Sequence, residues 1–146
     1  MNLRCTWNEK MIFTADASGH QVQMDTKSPL GSDSAMTPKQ FLVAGVCGCT
    51  AMDVVSLLKK FKQPLESLVV DAEATATTGV YPEIYQNIHL VFRAKGRVEP
   101  TKLIEAVTLS QTKYCGVSAM VSKAVPITYD IELNDQKIGS GQANFT

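Results

Sequence analysis

The chain has 146 residues, 45% of them hydrophobic, with 14 basic and 14 acidic side chains and a formal net charge of zero. That length suits a single domain, 1–146, with a sizeable core, and the even charge balance gives no electrostatic footprint for nucleic acid or an anionic membrane. The start of the chain, through Arg4, Trp7, Asn8, Glu9 and Lys10, carries no signal-peptide pattern, and the most apolar stretch, Lys39 to Lys60, is broken by Asp53 and falls short of the ~20 apolar residues that span a bilayer.

The first quarter reads as strands. Met11 to Asp16 and His20 to Asp25 flank Ala17-Ser18-Gly19, a short hairpin turn, and Cys5 falls in a strand before them. Lys27 to Met36 holds Pro29, Gly31, Asp33 and three serines and reads as a loop leading to a helix. That helix has a capping box, Thr37 with Gln40, and Pro38 at its first position. It is expected to run to about Phe61, ahead of Pro64. Its middle is apolar on nearly every face, so it must be enclosed on all sides, and a second subunit is the natural cover. Leu65 to Thr78 and Ile84 to Lys95 read as two strands. A helix opens at Pro100-Thr101, and a short third helix runs from about Cys115 to Ser122. The alternation of Ile127, Tyr129, Ile131 and Leu133 is the cleanest strand pattern in the chain. The polar end reads as a loose hairpin or frayed tail. Strands, a buried helix, a hairpin, two helices and a last strand predict an α+β fold without alternating βαβ units.

The four cysteines show no spacing of a secreted disulfide framework, which points to a reducing cytoplasm, where paired thiols are more often catalytic than structural. Cys5 reads as a small hydrophobe. Cys47 and Cys49, two apart on a helix, point to different faces and cannot share an ion or a disulfide. Gln40, Gly45, Cys49, Met52, Asp53 and Ser56 can share one broad stripe. Cys47 groups with Val43, Ala44, Ala51 and Val54 on a packing stripe. Cys115, at a helix N-terminus, has a setting that favours thiolate, or it fills core. His20 and His89 are isolated, so no zinc set with short-range spacing is seen. No nucleophile elbow, phosphate loop or dinucleotide fingerprint is present.

Two stretches resemble the OsmC/Ohr family of osmotically inducible and organic-hydroperoxide-resistance proteins. One is Pro38-Lys39-Gln40-Phe41-Leu42 leading into Gly48-Cys49-Thr50-Ala51-Met52-Asp53-Val54-Val55-Ser56. The other is Lys113-Tyr114-Cys115-Gly116-Val117-Ser118-Ala119-Met120. Ser18-Gly19-His20 and Met24-Asp25 add to them, in matching order across nearly the whole chain, nearest to the OsmC-like branch. The resemblance implies an intertwined homodimer, with long central helices wrapped by antiparallel sheets. It implies a thiol peroxidase for organic hydroperoxides with no metal or organic cofactor. Cys49 matches the peroxidatic cysteine and Cys115 the resolving one, with Gln40, Gly45, Met52 and Asp53 lining the substrate's place. A dithiol reductant, dihydrolipoyl or thioredoxin-like, would reset the disulfide. The chain departs from the family at its charged pair: Lys39-Gln40 stands where the family has a glutamate, and Arg4, Arg93 and Arg97 are the only arginines. Lys39 is then either an electrostatic substitute or a solvated first-turn lysine. The alternative to an enzyme is a dimeric binding protein for a small apolar or thiol-bearing ligand.

Overall fold

The computed structural model describes residues 1–146, which gather into two compact units, Met1–Leu42 and Val43–Thr146. The first unit is an antiparallel sheet, β1 (Arg4–Glu9), β2 (Ile12–Ala17) and β3 (His20–Met24), in that order. The β2–β3 turn is tight because Ser18 and Gly19 both take positive φ, 54° and 79°. Register pairs Trp7 with Phe13 and Phe13 with Met24, and likewise Cys5 with Ala15 and Ala15 with Val22. Alternation therefore puts these six apolar side chains on one face, while Arg4, Thr6, Thr14, Asp16 and Gln21 share a polar groove on the other.

The loop after β3 is built around one carboxylate. Asp25 Oδ1 accepts from the Thr26 amide at 2.7 Å, and Oδ2 accepts from the amides of Ser32 and Ser34, each at 3.1 Å, and from Ser34 Oγ at 2.8 Å. The Ser34 backbone and side-chain bonds are foremost in holding the Asp25 pKa down at about 2. Gly31 fits only without a side chain, since a Cβ there would stand 2.2 Å from the Thr26 carbonyl oxygen and 2.5 Å from Asp25 Oδ1.

Helix α1 (Pro38–Lys60) begins on the expected capping box: Gln40 Oε1 accepts from the Thr37 amide at 2.8 Å and Thr37 Oγ1 accepts from the Gln40 amide at 3.3 Å. Its length and composition by themselves would suffice to cross a membrane, contrary to the reading that the stretch, broken by Asp53, falls short of that. One stripe of it packs into the core. Val46, Thr50, Val54 and Leu58, four residues apart, are fully buried, and the three apolar ones join the core of the second unit. This stripe differs from the expected one, with Cys47 half-buried at its margin. Only 22% of the apolar stretch is buried within the chain, so the helix is not enclosed on all sides by its own subunit.

The second unit carries a four-stranded sheet ordered β4 (Leu65–Ala76), β5 (Tyr85–Gly96), β6 (Ile127–Leu133), β7 (Gln136–Gln142). Ile88, Leu90, Phe92 and Ala94 stand beside Ile127, Tyr129, Ile131 and Leu133 in register and make its apolar face. The opposite face is polar: Arg93 is held by Asp71 at 2.8 Å and by Glu132, and Lys137 reaches Asp130 at 2.8 Å. The β5–β6 pair is parallel, which corrects the expectation of antiparallel sheets at this one seam. Parallel neighbours need a crossover, supplied here by α2 (Pro100–Leu109), a π turn (Ser110–Tyr114) and α3 (Gly116–Val121). The polar end is an ordered hairpin strand, turned by Asn134 and Asp135 at φ 50° and 66°.

A depressed carboxyl contributes stability above its ordinary pKa and loses it as pH falls through the folded value. Protection of the Ser32 and Ser34 amides should therefore hold down to about pH 4 and decline toward about pH 2, and Asp25→Asn should lower it at neutral pH. Hydrogen exchange reads both; protection unchanged in Asp25→Asn would show that the carboxylate does not organise this loop.

Candidate functional site: a dithiol beside a buried hydroxyl chain

Spacing on α1 sets two of the site's groups. Cys49 and Asp53 are four apart and share a helix face, while Thr50, next to Cys49, points into the core. The third group arrives from the crossover. The π turn widens the chain so that the Cys115 amide donates to the Ser110 carbonyl at 2.9 Å, and Cys115 then caps α3, its sulfur accepting from the Ser118 amide at 3.3 Å. One ligand atom from each of Cys49, Asp53 and Cys115 lies within 4.8 Å of the others. Cys49 and Asp53 are partly exposed, and Cys115 is fully buried.

Beneath this trio lies a buried polar knot that sequence reasoning missed. Gln111 Nε2 donates to Thr50 Oγ1 at 2.8 Å and to Ser118 Oγ at 3.2 Å. Ser110 Oγ donates to Asp53 Oδ2 at 2.9 Å, so the 2.8 Å contact between Thr50 and Ser110 must have Thr50 as donor. The protons are thus ordered from Gln111 through Thr50 and Ser110 to the Asp53 carboxylate. A second branch runs from Gln111 to Ser118, whose amide donates to the Cys115 sulfur. The amide orientation follows from the network: the reverse would leave two N–H donors without an acceptor instead of the one oxygen, Gln111 Oε1, that lacks a partner. The available signal was register: Ser110 continues the Leu103, Ala106, Val107 spacing, so a polar residue was due to face the core.

Burial pushes the Cys115 thiol above its ordinary pKa; the Ser118 hydrogen bonds pull it down, and Cys49 adds to the rise. Of the two readings of Cys115, the core-filling one fits its full burial, and desolvation is the largest influence on its thiol. Burial likewise raises the Cys47 thiol, with Asp71 adding to it. Cys5 is exposed on β1.

Of the residues expected to line the substrate's place, only Asp53 lies in the trio. Gln40 is exposed and spends its side-chain oxygen on the cap. Gly45 stands one turn before Cys49, where an added Cβ would meet nothing within 4 Å. Met52 is 74% exposed and lines a shallow groove with Val55, Lys59 and Leu68. Within Val43–Thr146 no guanidinium is paired with the thiols or Asp53: Arg93 is held by Asp71 and Glu132, and Arg97 is exposed after β5.

A two-sheet α+β chain that brings one thiol from a long apolar helix against another at the foot of a short one defines a class of small dithiol proteins. The chain belongs to the OsmC-like family, whose description, OsmC-like protein, matches residues 31–130. It is 38% identical over 138 residues to Protein YhfA of Escherichia coli K12, covering 91% of this chain and 98% of that one. Two solved structures share the fold. An OsmC-like protein from Mycoplasma pneumoniae gives a TM-score of 0.78 at 14% identity over 90% of this chain and 95% of that one. An organic hydroperoxide resistance protein from Elizabethkingia anophelis gives 0.67 at 15% identity, over 92% and 97%.

Thr50→Val keeps the side chain's shape while deleting the hydroxyl between Gln111 and Ser110. Leaving buried partners unsatisfied costs about 1–3 kcal/mol, and urea melts should show a loss of that size. A neutral substitution would mean that the hydroxyl chain does not hold α1 to the π turn.

Proposed function

We propose that the chain is a thiol-dependent peroxidase for organic hydroperoxides, working as a homodimer of one OsmC-like domain per chain in a reducing cytoplasm. The observation that carries the reading is the approach of Cys49 and Cys115 to within 4.8 Å at a partly exposed site. The fold shared with organic hydroperoxide resistance proteins supports it. In this reading the Cys49 thiolate attacks the O–O bond, taking one oxygen as sulfenic acid while the substrate leaves as its alcohol with a proton. Cys115 condenses with the sulfenic acid, forming a disulfide and releasing water. A dithiol reductant, dihydrolipoyl or thioredoxin-like, returns both thiols and is itself oxidised to a disulfide. Burial suits Cys115 to the second role, since a desolvated thiol is a poor first nucleophile but needs only to meet a sulfenic acid brought to it.

The homodimer reading rests on surfaces that one subunit leaves bare. The apolar face of the first unit's sheet keeps Trp7, Phe13 and Val22 exposed, and α1 is largely uncovered. Apolar areas of this kind mark interaction surfaces. Sedimentation at micromolar concentration should give twice the chain mass of 15.9 kDa; a monomer would overturn this part of the reading.

A second reading, a dimeric binding protein for a small apolar or thiol-bearing ligand, is favoured by one observation: Arg93 is committed to Asp71 and Glu132 rather than to the thiols. One assay separates the two. Reduction of cumene hydroperoxide with a dithiol donor should be lost in Cys49→Ser. In Cys115→Ser it should fall with accumulation of the sulfenic acid, which dimedone traps. Turnover no higher in the native protein than in Cys49→Ser would reject the peroxidase in favour of the binding protein.

A further inference from the structure

We infer that Cys49, Asp53 and Cys115 form a binding site for a borderline-soft divalent cation of the zinc class, with two thiolate sulfurs and one carboxylate oxygen as ligands and a fourth position open. The inference goes beyond the peroxidase reading and does not depend on it.

Cys47 and Cys49, two apart on α1, point their sulfurs to different faces and cannot share an ion. The folded chain uses a different set. Cys49 and Asp53 present two donors from successive turns of α1, and Cys115 brings the third from the cap of α3. A tetrahedral zinc ion with Zn–S near 2.3 Å and Zn–O near 2.1 Å separates its donors by about 3.6–3.8 Å. The three donor atoms already lie within 4.8 Å of one another, so closure takes movements on the order of 1 Å, within reach of side-chain rotation.

Outer contacts orient the ligands as metal sites require. Ser110 Oγ–H holds Asp53 Oδ2 at 2.9 Å and so fixes the orientation of the carboxylate. The Ser118 amide holds the Cys115 sulfur at 3.3 Å. Charge points the same way. The ion pairs of Val43–Thr146 join His89, Lys95, Arg93, Lys102 and Lys137 to acids other than Asp53. Three groups that are acceptors when ionised therefore converge without a cation from this unit, and a dication supplies the missing charge. Thiolate donors select zinc-like ions over magnesium or calcium.

Binding exchanges two S–H protons for two metal–sulfur bonds, so two protons enter solution for each ion bound and no electron moves. Because the same sulfurs cannot be both ligands and a disulfide, the ion and oxidation exclude one another. The ion would keep the thiols reduced and occupied, and a disulfide would release it.

The test is titration of the reduced protein with Co2+ alone, in a Cys5→Ser, Cys47→Ser background, followed by thiolate-to-cobalt charge-transfer absorption. One ion per chain with that band is expected. The band should vanish in Cys49→Ser, in Cys115→Ser and after oxidation to the disulfide. Asp53→Asn and Ser110→Ala should retain a band but weaken binding by about 10–100-fold, with thermal melts confirming that the variants fold. Absence of the band at stoichiometric Co2+, or Asp53→Asn binding as tightly as the native residue, overturns the three-ligand site. Hydroperoxide turnover of metal-free protein is measured separately, so failure of the peroxidase reading leaves this result standing, and the reverse.

Discussion

The contact on which the thiol site depends is the buried bond between Thr50 and Ser110. It joins the long helix α1 to the π turn, two elements distant in sequence, through two hydroxyls fully removed from water. Both hydroxyls carry a second bond, one from Gln111 and one to Asp53, so the contact fixes a direction of donation as well as a position. A network of this kind is favourable only while its members stay satisfied. Gln111 Oε1, buried without a partner, is the one place where that condition fails. The fold tolerates that cost immediately beside the cysteines, where the same amide sends its two N–H groups toward the helices that carry them.

The sheet of the second unit supplies the rigid backing. Its apolar face pairs Phe92 with Ile131 and Leu90 with Tyr129 across a parallel seam, and its outer face spends Arg93 on two acids. That commitment explains in physical terms why a residue type suited to holding a thiolate is present in the unit yet absent from the site. A guanidinium shared between Asp71 and Glu132 is oriented by both, and moving it would leave two carboxylates unpaired. The thiols meet a carboxylate and hydroxyls instead.

Much of the fold could be read from local chemistry. The capping box of Thr37 and Gln40, the Ser18-Gly19 turn and the alternation from Ile127 to Leu133 each express a rule that needs only neighbours in sequence. What escaped the sequence depended on partners far along the chain. The parallel β5–β6 seam is decided by how the crossover packs. The π turn adds one residue to a helical repeat, and nothing in Ser110-Gln111-Thr112-Lys113-Tyr114 announces it. The position of Cys115 at a helix start was legible, and it left two readings open, thiolate or core filler, which its full burial separates. Family resemblance singled out both cysteines. It gave no role to Thr50 and Ser118, which lie within the matching stretches, or to Ser110 and Gln111, which lie outside them.

The π turn also ties two groups to one residue. The Cys115 amide is bonded to the Ser110 carbonyl, and the Ser110 hydroxyl is bonded to Asp53. Ser110 thus serves both sides of the site at once, its carbonyl holding the backbone of Cys115 and its hydroxyl fixing one oxygen of Asp53, so the thiol and the acid share a single anchor.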